Sequence, residues 1–148
     1  SDLGKRKRMA RLTEALARDY DRIVLDCPPG LTETSEQAMR AAAVIVVPVI
    51  PSPLSRRALD EVAAHLLREH RRHAPLLPVF TMVDRRRALH RAALAEQPDW
   101  PVIPMASTIE AMTVRREPVG VFAPGSAAGN AFAILWNVVE RRLVTSRA

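Results

Sequence analysis

Cysteine is almost missing: Cys27 is the only one in 148 residues, so no internal disulfide forms and no cysteine-rich zinc cage is available. Aromatic residues make up 4% of the chain, too few for the stacking platforms that bind single-stranded nucleic acid. Glycine is scarce too. Gly4, Gly30, Gly120, Gly125 and Gly129 are never clustered ahead of a lysine and a hydroxyl residue, so the sequence holds no glycine-rich turn to cradle a phosphate. The longest apolar run, 41–50 with Pro48 inside it, has about half the length of a bilayer-crossing helix. The basic start, Ser1 to Arg8, is followed by Ala10-Arg11-Leu12-Thr13-Glu14 where a signal peptide needs an apolar stretch. Membrane insertion and secretion are therefore not expected, and a reducing cytoplasm is.

The remainder reads as one domain over residues 1–148, with 48% hydrophobic and 26% charged residues. Such a chain buries roughly two thirds of its unfolded surface without a covalent staple. Its net charge is +6, and all but Lys5 and Lys7 of its 22 basic residues are arginine. That balance suits contact with polyanions such as nucleic acid or anionic lipid, and it also follows from an Arg- and Ala-biased residue usage.

Helical and strand periodicities alternate along the chain. Residues 5–18 place Met9, Leu12 and Leu16 on one helical face. Ile23-Val24-Leu25 predicts a short strand closed by Asp26-Cys27-Pro28-Pro29-Gly30, because paired prolines continue neither a ladder nor a helix. Thr32 or Thr34 predicts the cap of a helix over 33–42. Val44 to Val47 reads as a strand buried on both faces. A helix starting from Ser52 or Ser55 carries Leu59, Val62, Ala63, Leu66 and Leu67 and ends near Pro75. Strands follow at 76–82 and 101–104, with helices at 86–96, 109–114 and 127–143. The last has Phe132, Leu135, Trp136, Val139 and Leu143 on one face.

This order predicts an α/β fold with a mostly parallel sheet flanked by helices. Ligands in such folds bind beyond the carboxyl ends of the strands, which directs attention to 26–30, 48–53, 82–85 and 104–107. At the first of these, an aspartate ending a buried strand before a Pro-Pro-Gly loop suits a group that faces a dication without moving. A strand-end capping residue is the plainer alternative for Asp26.

Residues 22–30 (Arg-Ile-Val-Leu-Asp-Cys-Pro-Pro-Gly), 42–49 (Ala-Ala-Val-Ile-Val-Val-Pro-Val) and 55–59 (Ser-Arg-Arg-Ala-Leu) together resemble the second half of the ParA/MinD family of deviant-Walker P-loop ATPases. Residues 79–86, 104–111, 116–119 and 124–128 extend the resemblance from Tyr20 nearly to the end. It implies a P-loop NTPase-like fold in which the phosphate-binding strand and helix are missing from these residues. The chain then looks like the C-terminal portion of a longer ATPase, or a degenerate paralogue, inactive by itself.

Under that resemblance Asp26 holds the magnesium-bound water and Pro28, Pro29 and Gly30 form the switch that senses the γ-phosphate of ATP. Met82, Asp84, Pro104 and Met105 lie beside the adenine, and Ile50 stands where many relatives carry a polar residue. The resemblance also implies a nucleotide-dependent homodimer, non-specific DNA binding, a ParB-like regulator and a role in partitioning DNA or positioning cargo on the nucleoid. Arg71, Arg72, Arg85, Arg86, Arg87, Arg115, Arg116, Arg141 and Arg142 are the candidate phosphate contacts, since such contacts need cation density and no base code. Two alternatives accompany this reading: a non-catalytic DNA-binding scaffold of the same fold, and a synthetase that activates a carboxylate with ATP. His70 and His73 have the spacing of a metal pair but no third ligand nearby. His65 and His90 read as surface residues, Cys27 as a small packing residue, and Trp136 as core rather than a membrane-targeting face.

Overall fold

The computed structural model describes residues 8–69 and 73–147; Lys5, Lys7, His70, Arg71 and Arg72 lie outside them. Helix α1, Arg8–Leu16, falls inside the expected span and packs on α2, Glu33–Ala41. Thr32 is the cap of α2: its Oγ1 accepts the Ser35 N–H at 3.2 Å, and the Ser35 hydroxyl oxygen accepts the Thr32 N–H at 2.8 Å. This reciprocal pair satisfies two of the orphan donors of the first turn. Strand β1, Ile45–Val49, leads to α3, Pro53–Glu69, whose start Ser52 caps by accepting the Ser55 N–H. The chain continues through β2, Leu76–Val83, α4, Ala88–Glu96, β3, Val102–Pro104, and α5, Ser107–Arg115. The short α6, Val119–Phe122, was not legible in the periodicity; α7, Ala127–Arg147, closes the chain.

The three strands form a parallel sheet in the order β1-β2-β3. Helices cover both of its faces, with a separate core on each. Val49, Leu59, Phe80 and Val83 make one core, backed by Ala93, Leu94, Trp100 and Val102 from α4 and the segment leading into β3. Leu77, Val79 and Ile103 make the other, packed against Ile109 of α5 and Phe132, Leu135, Val138 and Val139 of α7. Prolines fit this sheet only where no donor is required. The Phe80 N–H donates to the Pro101 carbonyl, so even-numbered residues of lower β2 turn toward β3. The absent N–H of Pro78 therefore points below the start of β3, where no ladder runs.

The expected strand at 23–25 is not one. Residues 22–28 belong to no helix or strand, Val24 is 82% exposed, and among the described residues no backbone–backbone hydrogen bond involves 21–31. A strand exists only with a partner, and β1 offers one edge that is open among the described residues. The Ile45 N–H donates to the Pro75 carbonyl, so residues 45, 47 and 49 turn their backbone toward β2, and Val46 and Pro48 turn theirs outward. Nor is β1 buried on both faces as its apolar run suggested. Val46 is 41% exposed.

Three side-chain expectations also change. Trp136 is 46% exposed and not core, although Phe132, Leu135 and Val139 pack as expected. Cys27 is exposed, its thiol donating weakly to the Leu25 carbonyl at 3.6 Å. His90 is buried rather than a surface residue, and His65 is half-buried against Glu36, 3.0 Å away.

Gly129 sets how closely α7 approaches the loop before it. A Cβ there would lie 2.5 Å from the Ala123 carbonyl oxygen and 2.7 Å from that of Pro124. Both obstacles are backbone, held by Ser126, whose hydroxyl donates to Ala123 O and accepts the Gly129 N–H. Gly129→Ala is expected to cost about 1–3 kcal/mol and to lower the thermal midpoint by several degrees. An unchanged midpoint would show that the loop yields freely.

Candidate functional site

Because all three strands run parallel, their carboxyl ends meet along one rim. The Met105 N–H donates to the Val83 carbonyl at 2.9 Å, tying the end of β3 to the end of β2. Pro104 is in register with Val83. Met82, Asp84, Pro104 and Met105 are thus brought together, with both methionine side chains exposed. Between Phe80 and Val83, β2 contains one more residue than β3 opposite it, and Met82 absorbs the extra residue at φ 54°. The bulge changes which face the strand presents: Val79 belongs to one core, yet Val83 belongs to the other. No periodicity in the sequence announces a left-handed methionine.

The loop after β2 is held by side chains. The Asp84 carboxylate accepts from the Arg86 backbone N–H at 3.0 Å and from its guanidinium Nε at 2.9 Å and Nη2 at 3.0 Å. Those hydrogen bonds from Arg86 lower the Asp84 pKa to about 2 and raise that of the guanidinium. The Arg91 Nη1 donates to the carbonyls of Arg85 and Arg86. Arg86 and Arg91 are therefore structural in this loop, whereas Arg85 and Arg87 are exposed.

Asp26, Pro28, Pro29 and Gly30 are all exposed. The Asp26 carboxylate has no partner among the described residues, unlike Asp84, so strand-end capping does not account for it. Gly30 takes φ 90°, a region costly for any side chain, and its carbonyl accepts the Ser35 hydroxyl at 2.8 Å. Ser35 thereby joins the loop to the first turn of α2. Sequence reasoning missed this buried serine, although its place three residues after Thr32 is the capping-box signal. At the other end of the segment, Arg22 donates to both carboxylate oxygens of Glu140 on α7, at 2.7 and 2.6 Å. Among the described residues no backbone–backbone hydrogen bond joins the Asp26 loop to the rim.

Among the described residues no three His, Cys, Asp or Glu gather as a metal site. A lone exposed carboxylate fits magnesium in one role only. That ion keeps several waters and binds few carboxylates besides substrate phosphates, so Asp26 can hold one of its bound waters.

The remaining candidate arginines are dispersed. The Arg115 guanidinium lies 4.8 Å from the ring centre of Phe122, and Arg116, Arg141 and Arg142 are exposed. Arg56, which sequence reasoning did not single out, lies over Trp100 at 5.2 Å. An open cleft of about 400 Å³ between α7 and β3 includes Arg85, Asp99, Trp100 and Asn130 in its lining. It shares no other residue with the candidate site. No helix among the described residues is long and apolar enough to cross a membrane.

Residues 2–75 match a family model described as an AAA domain. The fold matches the cell division ATPase MinD of Pyrococcus furiosus with a TM-score of 0.74 at 22% identity, covering 93% of this chain and 58% of that one. It also matches the septum site-determining protein MinD of Pyrococcus horikoshii OT3, complexed with Mg-ADP, with a TM-score of 0.68 at 24% identity, covering 86% and 53%. The chain thus spans between half and three fifths of the length of these solved structures. No match is found among curated proteins.

Proposed function

The chain belongs to the AAA domain family of P-loop ATPases, and from that premise we propose that it supplies the Asp26 loop and the adenine-side rim of a ParA/MinD-like ATPase. The observation that carries this reading is the Asp26 carboxylate, exposed and without a partner among the described residues, beside a Pro-Pro-Gly loop anchored by Ser35. Asp26 holds magnesium through water; when bound, the ion offsets charge on the nucleotide phosphates. Pro28, Pro29 and Gly30 respond to the γ-phosphate. Met82, Asp84, Pro104 and Met105 flank the adenine, Asp84 acting mainly by keeping its loop in shape through Arg86. The glycine-rich loop and its lysines come from a segment outside these residues, laid beside the open edge of β1.

The assembled ATPase dimerises with nucleotide, binds DNA non-specifically and moves DNA or another cargo under a ParB-like regulator. What supports the DNA arm is the arginine excess and the outward Arg85, Arg87, Arg116 and Arg141. Retention of the complete ATPase on DNA, measured with ATP and with ADP across a salt series, tests it. ATP-dependent retention is expected, with the salt slope shallower by about one for each arginine replaced at Arg141 and Arg142. Arg86→Ala, removing a guanidinium already held by Asp84, should leave the slope unchanged. Tight retention indifferent to nucleotide would favour a scaffold, and turnover that requires a carboxylate substrate would favour a synthetase.

A further inference from the structure

His90 sits on the first turn of α4, 3% exposed, with Nδ1 3.0 Å from the backbone nitrogen of Asp84. A backbone N–H only donates, so Nδ1 is the acceptor and the proton of the neutral ring is on Nε2. The same loop is closed again by the Arg87 N–H on the Asp84 carbonyl at 3.1 Å and by Arg91 on the next two carbonyls. The contact from His90 is the one in this set whose acceptor vanishes on taking up a proton.

We propose that His90 is a proton-operated latch on the loop after β2: the neutral ring holds the Asp84 amide, and the protonated ring releases it. In the imidazolium both nitrogens carry hydrogens, so Nδ1–H would face the amide N–H. The released residue is two positions from Met82, whose left-handed backbone persists only while its surroundings hold it. Acid therefore loosens the carboxyl end of the central strand. This inference rests on the loop geometry and holds whether or not the rim binds a nucleotide.

The neighbouring charges leave the imidazole as the switch. Asp84 and Arg86 are in the loop, Arg91 is on the same helix, and Arg56 reaches over Trp100 from α3. The sheet and α3 otherwise present Val49, Leu59, Phe80 and Val83 to this core. With its pKa lowered to about 2 by the hydrogen bonds from Arg86, Asp84 stays ionised throughout mild acid. Its pairing is present above its unfolded pKa and is lost only as pH falls through that low value. The guanidiniums keep their charge over the same range.

Amide hydrogen exchange tests the latch. Between about pH 7.5 and about pH 5.5, protection of the Asp84 amide, corrected for intrinsic exchange, should fall roughly tenfold or more. The Leu66 amide in α3 should not follow it. His90→Asn places an oxygen near the position of Nδ1 and cannot be protonated there, so it should keep protection and abolish the fall. Should that variant misfold, the nitrogen resonance of His90 Nδ1 in the unaltered protein supplies the second reading: its titration midpoint must coincide with that of the exchange change. Constant protection across the range, an equal fall in a folded His90→Asn, or separate midpoints would overturn the latch.

Discussion

Asp26→Ala in the complete ATPase is expected to reduce ATP turnover by at least about a hundredfold, the scale of losing a metal-linked contact in phosphoryl transfer. The side chain is exposed and supports nothing else among the described residues, so folding should be unaffected to within about 0.5 kcal/mol. Asp26→Asn keeps the shape and removes the charge, and should behave alike. Parallel measurement of turnover and of the urea midpoint separates chemistry from stability. Full turnover in either variant would remove Asp26 from the site.

The second large effect is on stability. Phe80 is 2% exposed in the central strand, and its ring centre lies 4.9 Å from that of Trp100. Phe80→Ala is expected to cost about 3–5 kcal/mol, a substantial part of the roughly 5–15 kcal/mol that holds a domain together. Val49, Leu59 and Val83 line the void from β1, α3 and the far side of the bulge, so collapse from one direction cannot fill it. The urea midpoint should fall with its slope preserved. A loss below about 1 kcal/mol would mean that this core repacks.

Much of the architecture was readable in the residues. Leu59 and Leu66 recur at helical spacing and are buried on α3, and Thr32 marks the start of α2 by the hydrogen bond its hydroxyl accepts. These signals are local, and local physics decides them. Ile23 to Leu25 failed because pairing is not local: β-branched residues favour a strand only where they pair with another strand's edge, and among the described residues no backbone hydrogen bond joins them to the open edge of β1. His90 and Cys27 exchanged their expected places for a related reason. Burial of a polar residue depends on whether a partner such as the Asp84 amide waits inside, which residue type does not announce. Met82 was placed at the end of its strand by the alternation of elements, while its left-handed backbone was invisible because the bulge arises from a register mismatch between β2 and β3.

The candidate site divides along the same line. Met82, Asp84, Pro104 and Met105 come together because parallel pairing of β2 and β3 makes them neighbours, as alternation of strands and helices implied. The Asp26 loop is joined to the rest through Ser35 and, further back, through Arg22. Its placement against the rim depends on what fills the open edge of β1.

Calorimetric titration with magnesium and ATP addresses that edge most directly, comparing residues 1–148 alone with the same residues carried behind a strand bearing a glycine-rich, lysine-containing loop. The account predicts no magnesium-dependent binding by the first and saturable, magnesium-dependent binding by the second. Equal binding by both, or none by the second when folded, would contradict it.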